Sequence, residues 1–179
     1  MSILSIDVRL SGIETLSRSQ VNRVMKRAYY EMGSYWRKHF LPLHFGERAT
    51  QRYGYTLRSG ARNARLPRLG KRLNSTYSAR KYRFVGHTRP LEFTGEGKRK
   101  ALYEKRISAT SKKVVVRLPL KFNLRNPHSQ VHMADEIRAV RRDELGEMSA
   151  FFVKLLRTLL REQSPGARVS GTIKTYEEI

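Results

Sequence analysis

The chain has 179 residues, with 37 Lys or Arg against 15 Asp or Glu, a net charge of +22, and no cysteine. Disulfide and thiolate chemistry are excluded, and the charge points to an acidic partner: DNA, RNA or an acidic protein surface. The charge is concentrated, because residues 47–130 carry 22 basic and 4 acidic side chains, a net of +18, while residues 1–46 net +4 and residues 131–179 are neutral.

The length predicts one domain with appended arms. The start MSILSIDVRLSG lacks the charged and apolar regions of a secretory signal. No stretch approaches the roughly 18 apolar residues of a membrane span, so a soluble, cytoplasmic product with no membrane partner is expected.

Residues 3–10 alternate Leu4, Ile6, Val8 and Leu10 with polar residues, the period of a strand with one buried face. Residues 19–40 predict a long amphipathic helix capped by Ser19, with Val21, Val24, Met25, Ala28, Met32, Tyr35, Trp36 and Phe40 on its apolar side. Pro42 ends it near Phe40. The end of this helix also suits positive groups, which is the expected setting of His39 and His44.

Residues 44–100 are broken by glycine and proline and read as extended arms or long loops, with short helices at 49–53 and 78–82. Residues 101–109 and 113–118 predict a hairpin packed under the first helix, separated by Thr110-Ser111-Lys112. Residues 135–161 predict a second long helix capped by Asp135, with Ile137, Val140, Met148, Phe151, Phe152, Leu155, Leu156 and Leu159 as its apolar face. After Pro165-Gly166 the tail is expected as an arm, or as a strand over 168–175 that pairs only on assembly.

Motifs for catalysis are weak. His128 and His132 are four apart, but HSQVH follows Pro127 and lacks the glutamate of a zinc-protease helix. The run Thr94-Gly95-Glu96-Gly97-Lys98-Arg99-Lys100 lacks the spacing of a phosphate loop and reads as a tight turn into a strand. Asp135, Glu136, Asp143, Glu144 and Glu147 are better explained by salt bridges to Arg138, Arg141 and Arg142 than by a metal centre. No catalytic, metal or cofactor residue is expected, and the chain does not read as an enzyme. A nuclease using His128, His132 and the acidic helix is the outside alternative.

The chemically loaded feature is the interleaving of cations and tyrosines between 48 and 84. Arg48, Arg52, Arg58, Arg62, Arg65, Arg68, Lys71, Arg72, Arg80, Lys81 and Arg83 form the candidate surface for a partner or polyanion. Arginine's planar fork suits phosphate and carboxylate alike, and Tyr53, Tyr55, Tyr77 and Tyr82 offer stacking faces. A protein partner is favoured over a nucleic acid.

The order of motifs resembles a known family. Trp36-Arg37-Lys38-His39-Phe40 closes a helix, HFGERATQRYGYTLRS follows at 44–59, and YSARKYRFVGHTRPLEFTG at 77–95 contains Gly86-His87, Pro90-Leu91 and Thr94-Gly95. Over roughly residues 20–160 this resembles the neck or tail-completion proteins that join head to tail in long-tailed bacteriophages. The resemblance implies a ring subunit, usually in six copies, in contact with other neck and tail proteins and near the path of DNA. It implies a location in the virion, assembled in the host cytoplasm. The Arg-rich insert at 60–75 departs from the family pattern. Element order and resemblance together lead to an α+β fold, a small antiparallel β-sheet packed against two long α-helices with a long basic loop or arm region. The expected layout is a single domain over 1–162, a basic insertion at about 44–100, and a C-terminal arm at 163–179. The alternative function is a DNA- or RNA-binding basic protein, such as a packaging or ribosome-associated factor.

Overall fold

The computed structural model describes residues 3–60, 76–104, 107–119, 122 and 131–176. It mixes helix and strand: β1 (Ile3–Ser11), α1 (Arg18–His39), a 3-10 segment (Leu41–Phe45), α2 (Ala49–Tyr53), α3 (Tyr77–Val85), α4 (Glu96–Tyr103), β2 (Ile107–Ala109), β3 (Val114–Val116), α5 (Met133–Ile137), α6 (Arg142–Arg161) and β4 (Arg168–Tyr176). The strands form two small antiparallel sheets, β1 with β4 and β2 with β3. The chain divides into two compact units: residues 1–37, 106–117 and 140–179 make the first, and residues 38–105 and 118–139 the second. Residues 44–100, expected as a basic loop or arm insertion, fall in the second unit, where Phe45, Tyr55 and Leu91 are buried.

In the first unit, α1 presents Val24, Ala28 and Met32 four residues apart, so all lie on one stripe. They pack with Phe152, Leu156, Leu159 and Leu160 of α6 and with Ala167 and Val169 at the start of β4. Burying each of the larger side chains stabilises this core by roughly 2 kcal/mol. Rings reinforce the pairing of the helices, with Tyr29 and Phe152 4.9 Å apart and Tyr35 stacked on Phe151 at 4.3 Å.

The tail is not a strand waiting for assembly. β4 pairs with β1 along its whole length, from Ile3 opposite Tyr176 to Ser11 opposite Arg168. The turns at the end of this ribbon lock together: Ser164 Oγ donates to the Gly12 carbonyl at 3.1 Å. Gly12 has φ +69, and a Cβ there would strike the Gly166 backbone, so no other residue fits.

The β2–β3 hairpin packs on α1 through a second glycine. A Cβ on Gly33 would lie 2.6 Å from Val114 Cγ2 and 3.3 Å from Ile107 Cγ2. The hairpin turn is tied by Thr110 Oγ1, which accepts from the backbone N–H of Lys112 and Lys113 at 3.2 Å each.

Several boundaries differ from the sequence expectation. The cap of α1 is Ser17 rather than Ser19: Ser17 Oγ accepts from Gln20 N–H at 3.3 Å while Gln20 Oε1 accepts from Ser17 N–H at 2.8 Å. Only Ser17 has a glutamine three residues on, so only it closes a reciprocal capping box. Residues 101–103, expected in a strand, finish α4, and the Gly95–Lys100 run begins that helix instead of leading to a strand. Glu96 and Lys100 pair at 2.6 Å one turn apart, and Lys, Arg, Ala and Leu are good helix formers.

The expected single helix over 135–161 is broken. α5 is capped at His132, not Asp135, and ends at Ile137; α6 starts after Arg141, whose backbone is extended at φ −88, ψ 159. Glu144 accepts from the Arg141 N–H at 3.4 Å and so helps restart the helix. The break coincides with the change of unit, α5 belonging to the second and α6 to the first. Two of the acidic residues have partners of their own: Asp143 pairs with Arg141 at 2.9 Å, and Glu136 pairs with Arg58, far along the chain.

Candidate interaction surface

The second unit contains 20 basic and 6 acidic residues, a net of +14 out of +22. Its described part is built around His44. Pro42 favours the tight 3-10 turn after α1, and that turn buries Leu41, His44 and Phe45. His44 stacks on Tyr53 with ring centroids 3.9 Å apart, and its Nδ1 is hydrogen-bonded to the Tyr55 hydroxyl. Tyr53 and Tyr55 flank Gly54, which closes α2 in a left-handed conformation, so one short motif supplies both partners. Phe45 meets Phe122 edge-on at 5.9 Å.

Burial pushes His44 down to about pKa 4, with Arg52 adding to the drop and the Glu136 backbone opposing it. It is therefore neutral at pH 7. The expected charged histidine at a helix end is corrected to a buried neutral ring, because removing imidazolium from water outweighs any gain at the helix terminus.

A two-toothed ion pair ties distant parts of this unit together. Arg58 Nη1 and Nη2 donate to Glu136 Oε1 and Oε2 at 2.6 and 2.5 Å. Oε1 also accepts from the Thr56 N–H at 3.2 Å. Both side chains are largely buried, at 17% and 9% exposure.

The third element is the turn after α3. Lys81 is buried and its Nζ donates to the Arg89 carbonyl. Burial, aided by Arg58 and opposed by Glu92, holds its ammonium down at about pKa 8. Pro90 and Leu91 are buried, and Leu91 has φ +56, a conformation that L-residues adopt only where the surroundings impose it. Glu92, the next residue, accepts from Lys98 at 3.2 Å and faces Arg89 at 3.8 Å. Phe93, next in the chain, stacks on Phe84 of α3 with centroids 6.0 Å apart and planes 19° apart.

The eleven candidate cations have different settings. Arg48, Arg80 and Arg83 are exposed. Arg52 is half-buried, its guanidinium 5.6 Å from the Tyr53 ring centroid, within cation–π range. Arg58 and Lys81 have internal partners and act in the framework. Arg62, Arg65, Arg68, Lys71 and Arg72 lie outside the described residues, as does His128. Sequence reasoning missed Phe84 and Phe93 as surface residues, although Phe84 is 79% exposed. The signal was present in the seven-residue spacing of Tyr77 and Phe84, which places them on one side of α3. Among the described residues no three His, Asp or Glu side chains come together as a metal site, and no helix is long and apolar enough to cross a membrane. No family model, curated protein or solved structure matches the chain.

Proposed function

We propose that this chain is a structural protein of a tailed-bacteriophage virion, completing the tail or joining head to tail at the neck as one subunit of a ring, and that it has no active site. The observation that carries the reading is the work done by the residues of the resemblance. Tyr55, Pro90 and Leu91 are buried, and Gly54 and Gly86 close helices. These motifs are packing and turn positions, as suits a protein whose task is to hold a shape. The family fold, a small sheet on two long helices with a basic arm, is part of this proposal, as are a six-membered ring and contact with other neck or tail proteins.

Particles purified from a strain producing them are the test. The chain is expected in the particles in several copies, and deleting its gene is expected to leave heads and tails unjoined. Intact infectious particles without the protein overturn the proposal.

A second reading, a DNA- or RNA-binding protein, is favoured by Arg48, Arg80 and Arg99, which are exposed and have no acidic partner among the described residues. Its signature is duplex binding that weakens linearly on a log–log plot against salt, since each neutralised phosphate releases counterions. Micromolar or tighter binding at physiological salt supports this reading, and complete loss there rejects it.

A further inference from the structure

α3 is inverted relative to an ordinary surface helix. It buries Ser78, Ala79 and Lys81 and exposes Tyr77, Arg80, Arg83 and Phe84. Tyr77, Arg80 and Phe84 follow the three- and four-residue spacing of one helix face, so their exposure forms a stripe. Phe84 is 79% exposed, Tyr77 44% and Phe93 42%. Single exposed apolar residues are ordinary on protein surfaces, but adjoining ones point to an interface.

The stripe is also held in place. Gly86 ends α3 with its N–H bonded to the Tyr82 carbonyl at 2.8 Å. Beyond it, Lys81 clamps the Arg89 carbonyl, and Glu92 is fixed by Lys98 immediately before Phe93. Two aromatic rings are thus presented on a preformed support, which lowers the ordering cost of binding.

We propose that Tyr77, Arg80, Phe84 and Phe93 form a docking site for a protein segment that brings an apolar side chain flanked by carboxylates. The apolar residue covers the Phe84–Phe93 pair, and a carboxylate meets the Arg80 fork. Aromatic residues and arginine are the side chains that dominate protein interfaces. Charge favours a peptide over a nucleic acid at this place. A phosphate backbone needs a continuous line of cations, whereas Arg89 and Lys98, which bracket Phe93 in the chain, already face Glu92. A carboxylate on a short segment is matched by the exposed Arg80. The proposal names the partner chemistry of the assembly surface and rests on the reading of the chain as an assembly subunit.

The test is fluorescence anisotropy of a labelled twelve-residue peptide with a central Trp-Leu pair flanked by Asp and Glu, titrated with the full chain at physiological salt. Three comparison probes replace the apolar pair by Ser, replace the acids by Lys, or are a twenty-nucleotide single-stranded DNA. The parent peptide is expected to bind at least tenfold more tightly than all three. Phe84→Ser with Phe93→Ser, and separately Arg80→Glu, are expected to weaken it on the order of thirtyfold, the loss typical of hot-spot residues. Arg80→Lys retains part of the affinity. Arg80→Glu changes only an exposed side chain, so it reads the site even if the double phenylalanine change perturbs folding. No binding of the parent peptide, or unchanged binding by Arg80→Glu, overturns the proposal. Tighter binding of the DNA, lost on the same substitutions, reassigns the stripe to nucleic acid. Absence of the protein from particles removes the virion reading but leaves this binding measurable, so the two failures are distinct.

Discussion

Replacing Glu136 by Leu tests whether the second unit is held by its internal ion pair. The change removes the acceptor of two Arg58 bonds at 2.6 and 2.5 Å and of the Thr56 N–H at 3.2 Å. Breaking one side of a buried pair costs about 3–5 kcal/mol, because the surviving charge keeps its desolvation penalty. Arg58 retains 17% exposure, so water relieves part of this and the lower end, about 3 kcal/mol, is expected. With a urea slope of about 2 kcal/mol per molar, the unfolding midpoint falls by about 1.5 M. Urea titration by circular dichroism reads this loss, and hydrogen exchange over residues 49–58 and 133–137 places it. Combining Glu136→Leu with Arg58→Met is expected to restore most of the stability, since neither charge is then left alone. A loss under about 1 kcal/mol for the single change, or a double variant as weak as the two losses added, refutes the reasoning.

Three further outcomes follow from the same packing. His44 has a folded pKa of about 4, below its ordinary 6.5; stability is therefore full above pH 6.5 and falls as the pH drops through 4, and His44→Phe flattens that part of a melting-temperature profile. Lys81 is likewise held down, from 10.5 to about 8, so its stability contribution is full above pH 10.5 and is lost as pH falls through 8. Lys81→Met should abolish that slope, and persistence of the slope in the variant's melting curves would contradict the assignment. Gly33→Ala is expected to destabilise by about 1–2 kcal/mol despite the better helix propensity of alanine, because its Cβ meets Val114 Cγ2 at 2.6 Å. Val114→Ala added to it should recover stability in a urea titration, whereas an additive loss counts against the contact.

What the sequence made legible was local. The four-residue spacing of Val24, Ala28 and Met32 identifies α1, and alternation at 4, 6, 8 and 10 identifies β1. The short helices α2 and α3 also follow from their own residues. What escaped it depends on partners far along the chain. Nothing between 138 and 141 forbids a helix; the break accompanies a change from one unit to the other. The match of Arg58 with Glu136 joins residues 78 apart, and alternation in β1 cannot name β4 as its neighbour. At the candidate surface, counting cations could not separate Arg58 and Lys81, which hold the unit together, from Arg80, which faces water. The exposure of Phe84 was not legible either, because burial depends on what the rest of the chain covers.

The register of β1 and β4 also bears on the order in which the protein is made. Translation delivers β1 well before β4, so the first unit cannot close its ribbon until residues 168–176 have been made. The second unit has all its residues by 139. Bringing Ser11 to Arg168 across an unfolded chain carries a length-dependent entropy of about 4.5 kcal/mol, and prior compaction of the intervening residues reduces it. Prior packing of residues 38–139 would therefore favour the closing of the β1–β4 ribbon.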